Sequence, residues 1–453
     1  MAAAPGPFAD TVAALATAPG RAAVAVVRLS GPAARAIAGR LHPGIPTQPS
    51  HTVRLRTLRH PTSGVVLDRA LVSVFWAPRS YTGEDVVEFA THGGLVAPQL
   101  VLEALFAAGA RPALAGEFTR RAVWHGKMDL LQAEAVLELV EATSPAAHAA
   151  ALRQLDRGLS ARLARLRERL LELEAQAAYG IDFPEEDSPP VPPEAIAAGA
   201  DAVAAEIAAV LAAGAEGELL RAGARVVLAG RPNAGKSSLF NALIGAERAI
   251  VTDIPGTTRD AVEAVASVEG YPVRLVDTAG LRASDDPVER LGVEVARQHL
   301  AQAQLVLFCV EAGRPWTADE RAALAEIGPE RALVVRTQVD RFGDAHRAPG
   351  ELAVSARTGQ GLAELRRALV ARLFAARAAA DEPPWLLRAR HRQALERARG
   401  ELGAFAAAVR QCLPLELAAT HLRAAATALE ELLGVLAPDE VLGAVFASFC
   451  VGK

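Results

Sequence analysis

At 453 residues the chain can hold two to four domains, each large enough to bury a core. Its composition is globular and rich in Ala and Leu, which favours helix, and a formal charge of −4 excludes a global basic field, leaving any nucleic-acid contact to local patches or a partner. Three cysteines, Cys309, Cys412 and Cys450, exclude a disulfide framework, lack metal-ligand spacing and fit a reducing, cytoplasmic setting.

The opening MAAAPGPFAD lacks the basic stretch and apolar run of a secretory leader. Residues 1–120 read as mixed α/β. Ala23–Ser30 and Ala70–Trp76 are strand-like runs, and Gly94–Ala108 carries a helical pattern that stops at Gly109. Residues 121–220 read as helical. Leu152, Leu155, Leu159, Leu163, Leu166 and Leu170 recur at steps of three and four, which predicts one apolar stripe on one long helix. IDFPEEDSPPVPP (181–193) predicts a turn, and the Ala-rich stretch 194–215 suits another helix. No apolar run of about 18 residues stands out, so no membrane-spanning helix is expected. Residues 221–375 alternate strand and helix as a doubly wound sheet does, and 376–453 return to helix. The predicted fold class is multidomain, α/β plus all-α, with the doubly wound domain inserted in a helical domain behind an α+β N-terminal domain. The terminal CVGK is no prenylation box, because Gly452 and Lys453 stand where aliphatic residues are needed.

The inserted segment carries nucleotide chemistry. Arg225–Ala229 is a short apolar strand, followed by Gly230-x4-Gly235-Lys236-Ser237 and at once by a helical pattern. Backbone N–H groups of such a loop wrap phosphates, Lys236 neutralises β/γ oxygens, Ser237 ligates Mg2+, and Asn233, Ala234 and Ser238 belong to the same loop. Of 48 lysines and arginines only Lys127, Lys236 and Lys453 are lysines. A drift toward arginine codons that spares Lys236 fits a site where a guanidinium is too wide, and it marks Lys127 and Lys453 as candidates for a second site.

Thr252, Asp253, Ile254, Pro255, Gly256, Thr257 and Thr258 form a polar loop with a hydroxyl, at Thr258, suited to Mg2+ and to sensing a γ-phosphate. Val273–Val276 reads as a strand ending in Asp277-Thr278-Ala279-Gly280, which adds a carboxylate for Mg2+ through water and an N–H for the γ-phosphate. Leu281 follows where many switch GTPases place Gln, so attack by water needs another aid. A monovalent cation at Asn233 and the loop carbonyls would supply charge. Asp285, Asp286 and Glu289 read either as a solvated surface loop or as the source of a catalytic carboxylate. For the base, Thr337-Gln338-Val339-Asp340 stands where Asn-Lys-x-Asp is typical, and Ser355-Ala356-Arg357 supplies N–H groups for guanine O6. Asp340 can accept from guanine N1–H and N2–H2. Thr337 lacks the amide that holds the loop and Gln338 the stem that stacks on the base, so guanine preference with weakened affinity is expected.

With these motifs, the flanking segments DTVAALATAPGRAAVAVVRLSG (10–31), YTGEDVVEFATHGG (81–94), AGEFTRRAVWHGKMDLLQAEA (115–135), IDFPEED (181–187) and the closing FCVGK (449–453) make the chain resemble, along nearly its whole length, the MnmE (TrmE) family of tRNA modification GTPases. The resemblance implies a folate-binding and dimerisation domain at 1–120, a helical domain in two parts at 121–220 and 376–453, and a GTPase domain at 221–375. It implies folate contacts (5-formyl- or 5,10-methylene-tetrahydrofolate) at Arg28, Glu84, Lys127 and Lys453, K+ ligands at Asn233, Thr252, Ile254 and Thr257, and Mg2+ ligands at Ser237 and Thr258. Glu289 matches the catalytic acid, and Arg282 is taken as supportive. Cys450 matches the family's terminal cysteine and is expected to be a buried small hydrophobe near the folate pocket. The family acts as a homodimer, and with a FAD-dependent partner, MnmG (GidA), as a heterotetramer that builds a carboxymethylaminomethyl or aminomethyl group on C5 of the tRNA wobble uridine. The alternative function is a regulatory GTP switch of the ribosome-assembly type, for which Lys127, the YTGED loop and FCVGK have no use.

Overall fold

Period-two alternation at the start of the chain becomes a six-stranded sheet. The computed structural model describes residues 8–183, 191–245, 262–277, 298–343, 347–374, 385, 387–434 and 439–453. It divides into two units: Met1–Leu137 with Ser160–Arg167 and Ala426–Lys453, and Glu138–Leu159 with Glu168–Ala425.

In the first unit β1 (Val12–Leu15), β2 (Val24–Ser30), β3 (Thr52–Arg59), β4 (Val66–Phe75), β5 (Val86–His92) and β6 (Arg111–Pro112) lie in the order β3-β4-β5-β2-β1-β6. All neighbours are antiparallel except β1 and β6. Inward residues Val27, Leu29, Val72, Val74, Val87 and Phe89 meet Ile37 and Leu41 of the helix Ala34–Leu41 and Val101 and Leu105 of the helix Ala97–Ala107. That helix is followed by Gly109 at φ +107°, in accord with the glycine stop in the sequence. Leu130, Ala133 and Leu137 pack on Val445, Phe446 and Phe449, so the C-terminal helix Asp439–Ala447 closes on the first helices of the unit.

In the second unit β7 (Ala224–Ala229), β8 (Val262–Val268), β9 (Tyr271–Asp277), β10 (Leu305–Glu311), β11 (Ala332–Thr337) and β12 (Leu352–Val354) have the order β12-β11-β10-β7-β9-β8, parallel but for the β8 edge. Leu239, Phe240, Leu243, Leu362, Leu365 and Leu369 cover one face, and Trp316, Leu324 and Ile327 pack against the other. Both faces are buried, which is why β10 reads as a continuous apolar run rather than an alternation. The order reverses at β7, and the crevice beyond the carboxyl end of such a strand is where doubly wound sheets take ligands.

Two helical expectations change. The leucine stripe lies on two helices: Leu152 and Leu155 fall in Pro145–Leu155, and Leu159, Leu163, Leu166 and Leu170 are buried along Gly158–Asp182. Arg157 turns left-handed (φ +65°) between them, and a Cβ at the next residue, Gly158, would meet the Trp385 ring at 2.9 Å, so the bare glycine makes room for that indole. Secondly, the helix Pro193–Ala222 is long and apolar enough by composition to cross a membrane. Its apolarity comes largely from alanine, and it packs along Ala389–Arg410, burying Ile196, Val203, Ile207 and Val210. It ends at Gly223 (φ +78°) and leads straight into β7. The predicted turn at 181–193 lies between the two helices, with residues 184–190 outside those described.

Candidate functional site

The loop after β7 turns on residues whose backbone only small or flexible groups tolerate. A Cβ at Gly230 (φ +135°) would sit 2.3 Å from the Cys309 carbonyl oxygen, so β7 and β10 approach there only because the residue is glycine. Asn233 (φ +63°) and Gly235 (φ +77°) are both left-handed, and the helix Lys236–Gly245 starts at once. The Lys236 side chain is buried, and its Nζ donates to the carbonyls of Gly230 (2.9 Å) and Arg231 (2.8 Å). Ser237 and Ser238 are exposed at the helix N-terminus, and Asn233 is exposed in its turn. Asp277 is buried at the end of β9, in register with Leu228 of β7, so it stands beside the strand that delivers the loop. Cys309 is fully buried, and burial pushes its thiol up to about 12. The cluster supplies N–H groups, a helix N-terminus and an ammonium, a donor set that fits polyphosphate.

The base loop meets this loop from β11. Thr337 Oγ1 donates to the Ala234 carbonyl at 2.8 Å, and Gln338 Nε2 to the Asn233 carbonyl at 3.0 Å. This corrects the expectation that the motif has lost the group holding the loop: a backbone carbonyl accepts from a hydroxyl or from any amide. Asp340 accepts from Ser355 Oγ (2.7 Å) and from Arg357 Nη2 (2.6 Å), and these two partners hold its carboxyl below the usual range. Val339 is buried, and Ala356 lies in the turn after β12. Thr252, Asp253, Ile254, Pro255, Gly256, Thr257, Thr258, Thr278, Ala279, Gly280, Arg282 and Glu289 lie outside the described residues.

In the first unit the remaining candidates surround the loop Pro78–Glu84. Arg28 faces Glu88 across β2 and β5 and bonds it at 2.9 Å, while its Nη1 donates to the Gly452 carbonyl at 3.2 Å. Its guanidinium lies over Tyr81 at 5.4 Å and Phe118 at 5.5 Å. The tail is pinned by Phe118 N–H on the Lys453 carbonyl, and a Cβ at Gly452 (φ +106°) would meet Leu15 O at 2.3 Å. Burial, then the nearby Arg28 charge, lowers the Lys453 ammonium pKa. Lys127 Nζ donates to Pro78 O at 3.1 Å. Cys450 is exposed, contrary to expectation, because Phe449 supplies the buried anchor of this stretch.

Glu84 is inward. It accepts from Ser30 Oγ (2.7 Å) and from Arg121 Nη1 (2.9 Å). Arg121, which sequence reasoning missed, has no exposed surface and also bonds Glu117 and Asp10. Burial alone would raise the Glu117 carboxyl, but Arg111 and Arg121 outweigh it and hold it low. The signal was present as Glu117 and Arg121 at i,i+4 on one helix.

Strand, left-handed loop, lysine-led helix and buried aspartate on the adjacent strand define a phosphate-loop nucleotide-binding protein. The family model of the MnmE helical domain matches residues 130–450, and that of the GTP-binding protein TrmE N-terminus matches 11–127. The tRNA modification GTPase MnmE of Moorella thermoacetica is 41% identical across 98% of this chain and 99% of its own length, and that of Thiobacillus denitrificans 42% identical across 99% of both. Among solved structures, the G domain of the T. maritima FeoB iron transporter is 29% identical over 33% of this chain and 98% of that one, with a TM-score of 0.27. The chain belongs to the MnmE (TrmE) family.

Proposed function

We propose that this protein is a cytoplasmic GTPase that works in tRNA modification. The observation that carries the reading is the buried Lys236 ammonium resting on two carbonyls of a left-handed loop at the switch point of the sheet. It leaves those acceptors for β/γ-phosphate oxygens, while the loop N–H groups bind the phosphate chain and Asp340 takes the guanine N–H edge. Ser237 with Thr258 would hold Mg2+, and Asn233 with Thr252, Ile254 and Thr257 would hold K+. The exposed positions of Ser237 and Asn233 fit that use. When bound, the two cations would supply positive charge at the phosphates, and Glu289 would serve the water that Leu281 cannot hydrogen-bond. Replacing K+ by Na+ is expected to slow hydrolysis sharply; equal rates would remove the cation assignment.

We assign residues 1–120 to folate binding and dimerisation, 121–220 and 376–453 to the helical domain, and 221–375 to the GTPase domain. Arg28, Lys127 and Lys453 offer cations to a folate's glutamate tail, with Tyr81 and Phe118 nearby. Glu84, bonded to Arg121, shapes the wall. Exposed Val53 and Leu55 on β3 and Leu71 on β4 give the first unit an apolar surface suited to a second copy. With the FAD-dependent partner MnmG (GidA), the dimer would transfer a folate one-carbon unit into the aminomethyl-type group at C5 of the wobble uridine.

The test is mass spectrometry of tRNA nucleosides from cells lacking the chain. Loss of C5-aminomethyl-type uridines is expected, restored by the wild type but not by Lys236→Ala or Glu289→Ala. An unchanged profile would overturn the reading in favour of a regulatory switch.

A further inference from the structure

Four helices of the second unit end together, on the side opposite β7. Arg169 bonds Glu206, and a Cβ at Gly199 would lie 2.7 Å from Leu173 Cδ2, so Gly158–Asp182 and Pro193–Ala222 run antiparallel. Arg392 bonds Glu218 and Arg410 bonds Asp201, so Ala389–Arg410 is antiparallel to Pro193–Ala222 as well. Residues 411–414 turn the chain back into Leu415–Leu433, where His421 bonds Glu401 at 2.6 Å and Arg423 reaches Glu174 at 3.6 Å. The end so formed is apolar and uncovered: Tyr179, Phe183, Val191, Leu413 and Leu417 are between 41% and 63% exposed, with the first two rings 5.1 Å apart. At the other end of the same helices Leu220, Trp385 and Leu387 are buried. We propose that the exposed end is the docking surface for a basic, amphipathic helix of the FAD-dependent partner. The proposal rests on the partner reading above.

Charge selects the occupant. Asp182, Glu194 and Glu416 are exposed around the apolar end, while Arg410, His421 and Arg423 each rest on a carboxylate of the bundle. The rim is therefore acidic. It repels the phosphates of a nucleic acid and of an anionic lipid surface. A second copy docked about a twofold axis would set these same carboxylates against one another. A helix that carries leucines or aromatics on one face and arginines or lysines beside them matches both the apolar centre and the acidic rim. Large side chains in the middle with charge at the edge are also the anatomy of a protein–protein interface. Aromatic rings at such a centre are where binding energy concentrates, and Tyr179 and Phe183 supply two.

The test titrates the full chain with the FAD-dependent partner MnmG by calorimetry. Leu413→Ser with Leu417→Ser removes two apolar anchors at exposed positions and is expected to weaken binding by about thirtyfold. Asp182→Lys with Glu416→Lys reverses the rim and should weaken it by about tenfold at low salt, a gap that closes at about 0.5 M salt. In both variants the melting temperature and the GTP hydrolysis of the isolated chain are expected to match the wild type, which separates lost docking from lost folding. Unchanged partner affinity in either variant would overturn the proposal. So would a fall in the mass of the isolated chain by light scattering with partner affinity intact, because a second copy would then be the occupant. A wild-type chain that does not bind MnmG would bring down the partner reading itself and the docking surface with it, an outcome recognisable because no variant is needed to see it.

Discussion

Arg121 in the first unit and Lys236 in the second are both buried cations at helix positions, and they rest on different kinds of acceptor. Arg121 is bonded to the carboxylates of Asp10, Glu84 and Glu117, within 2.9 Å in each case. Lys236 donates to the neutral carbonyls of Gly230 and Arg231. A guanidinium among carboxylates is fixed, because moving it strands several buried charges. An ammonium on backbone carbonyls can exchange them for a phosphate that binds it more strongly. Buried charge thus serves architecture in one unit and a ligand in the other, and the ease with which its acceptors can be exchanged tells which.

Breaking the architectural cation has the largest expected effect. Arg121→Ala leaves Glu84 and Glu117 buried beside an empty space, and a loss of about 3–5 kcal/mol in unfolding free energy is expected by denaturant titration. A loss below about 1 kcal/mol would show the network to be ornamental. Lys236→Ala reverses the pattern. Its melting temperature should hardly move, while GTP binding weakens by about 2–3 kcal/mol by calorimetry, because a charge-assisted contact is lost; equal affinity would refute the site.

Acid should sharpen the contrast. Glu117 titrates below its ordinary value of 4.5 and Asp10 below 3.8; burial pushes each up, and the arginine bonds outweigh it. A depressed carboxylate contributes stability that is present above the unfolded value and lost as pH falls through the folded one. The first unit should therefore hold its stability down to about pH 4.5 and lose it progressively below, a dependence that shrinks in Glu117→Gln. A pH-independent unfolding midpoint between 5 and 3 would contradict this. The smallest effect concerns Asp340, whose acceptors face Ser355 and the largely exposed Arg357. Guanine must displace Arg357, so Arg357→Ala is expected to tighten GDP by about twofold to fivefold, the scale of an exposed ion pair. Weaker binding in that variant would mean that the guanidinium helps hold the base.

The residues themselves explain what was legible. β7, the loop to Ser237 and the helix behind it occupy consecutive positions, so strand pattern, glycine spacing and lysine stated the phosphate loop without help from the rest of the chain. The leucine stripe misled because periodicity runs through Arg157 without registering its left-handed turn, which is followed at once by a glycine packed on Trp385. Thr337 and Gln338 read as losses because each was compared with the groups that read a base. Their acceptors are backbone carbonyls, which carry no sequence signature. Cys450 read as buried because it sits in an apolar tail, but Phe449 takes the buried place and Cys450 is left exposed.

By itself the sequence determined the nucleotide chemistry, the alternation of sheet and helix and the membership of its family, all written in local order and spacing. Tertiary structure alone decided that Arg28 meets a tail 424 positions away, that Arg121 gathers three carboxylates, and that the base loop grips the phosphate loop. The reason is physical: a local motif is encoded by neighbours along the chain, whereas a long-range hydrogen bond exists only once sheet order and helix packing have brought donor and acceptor within 3 Å or so of each other.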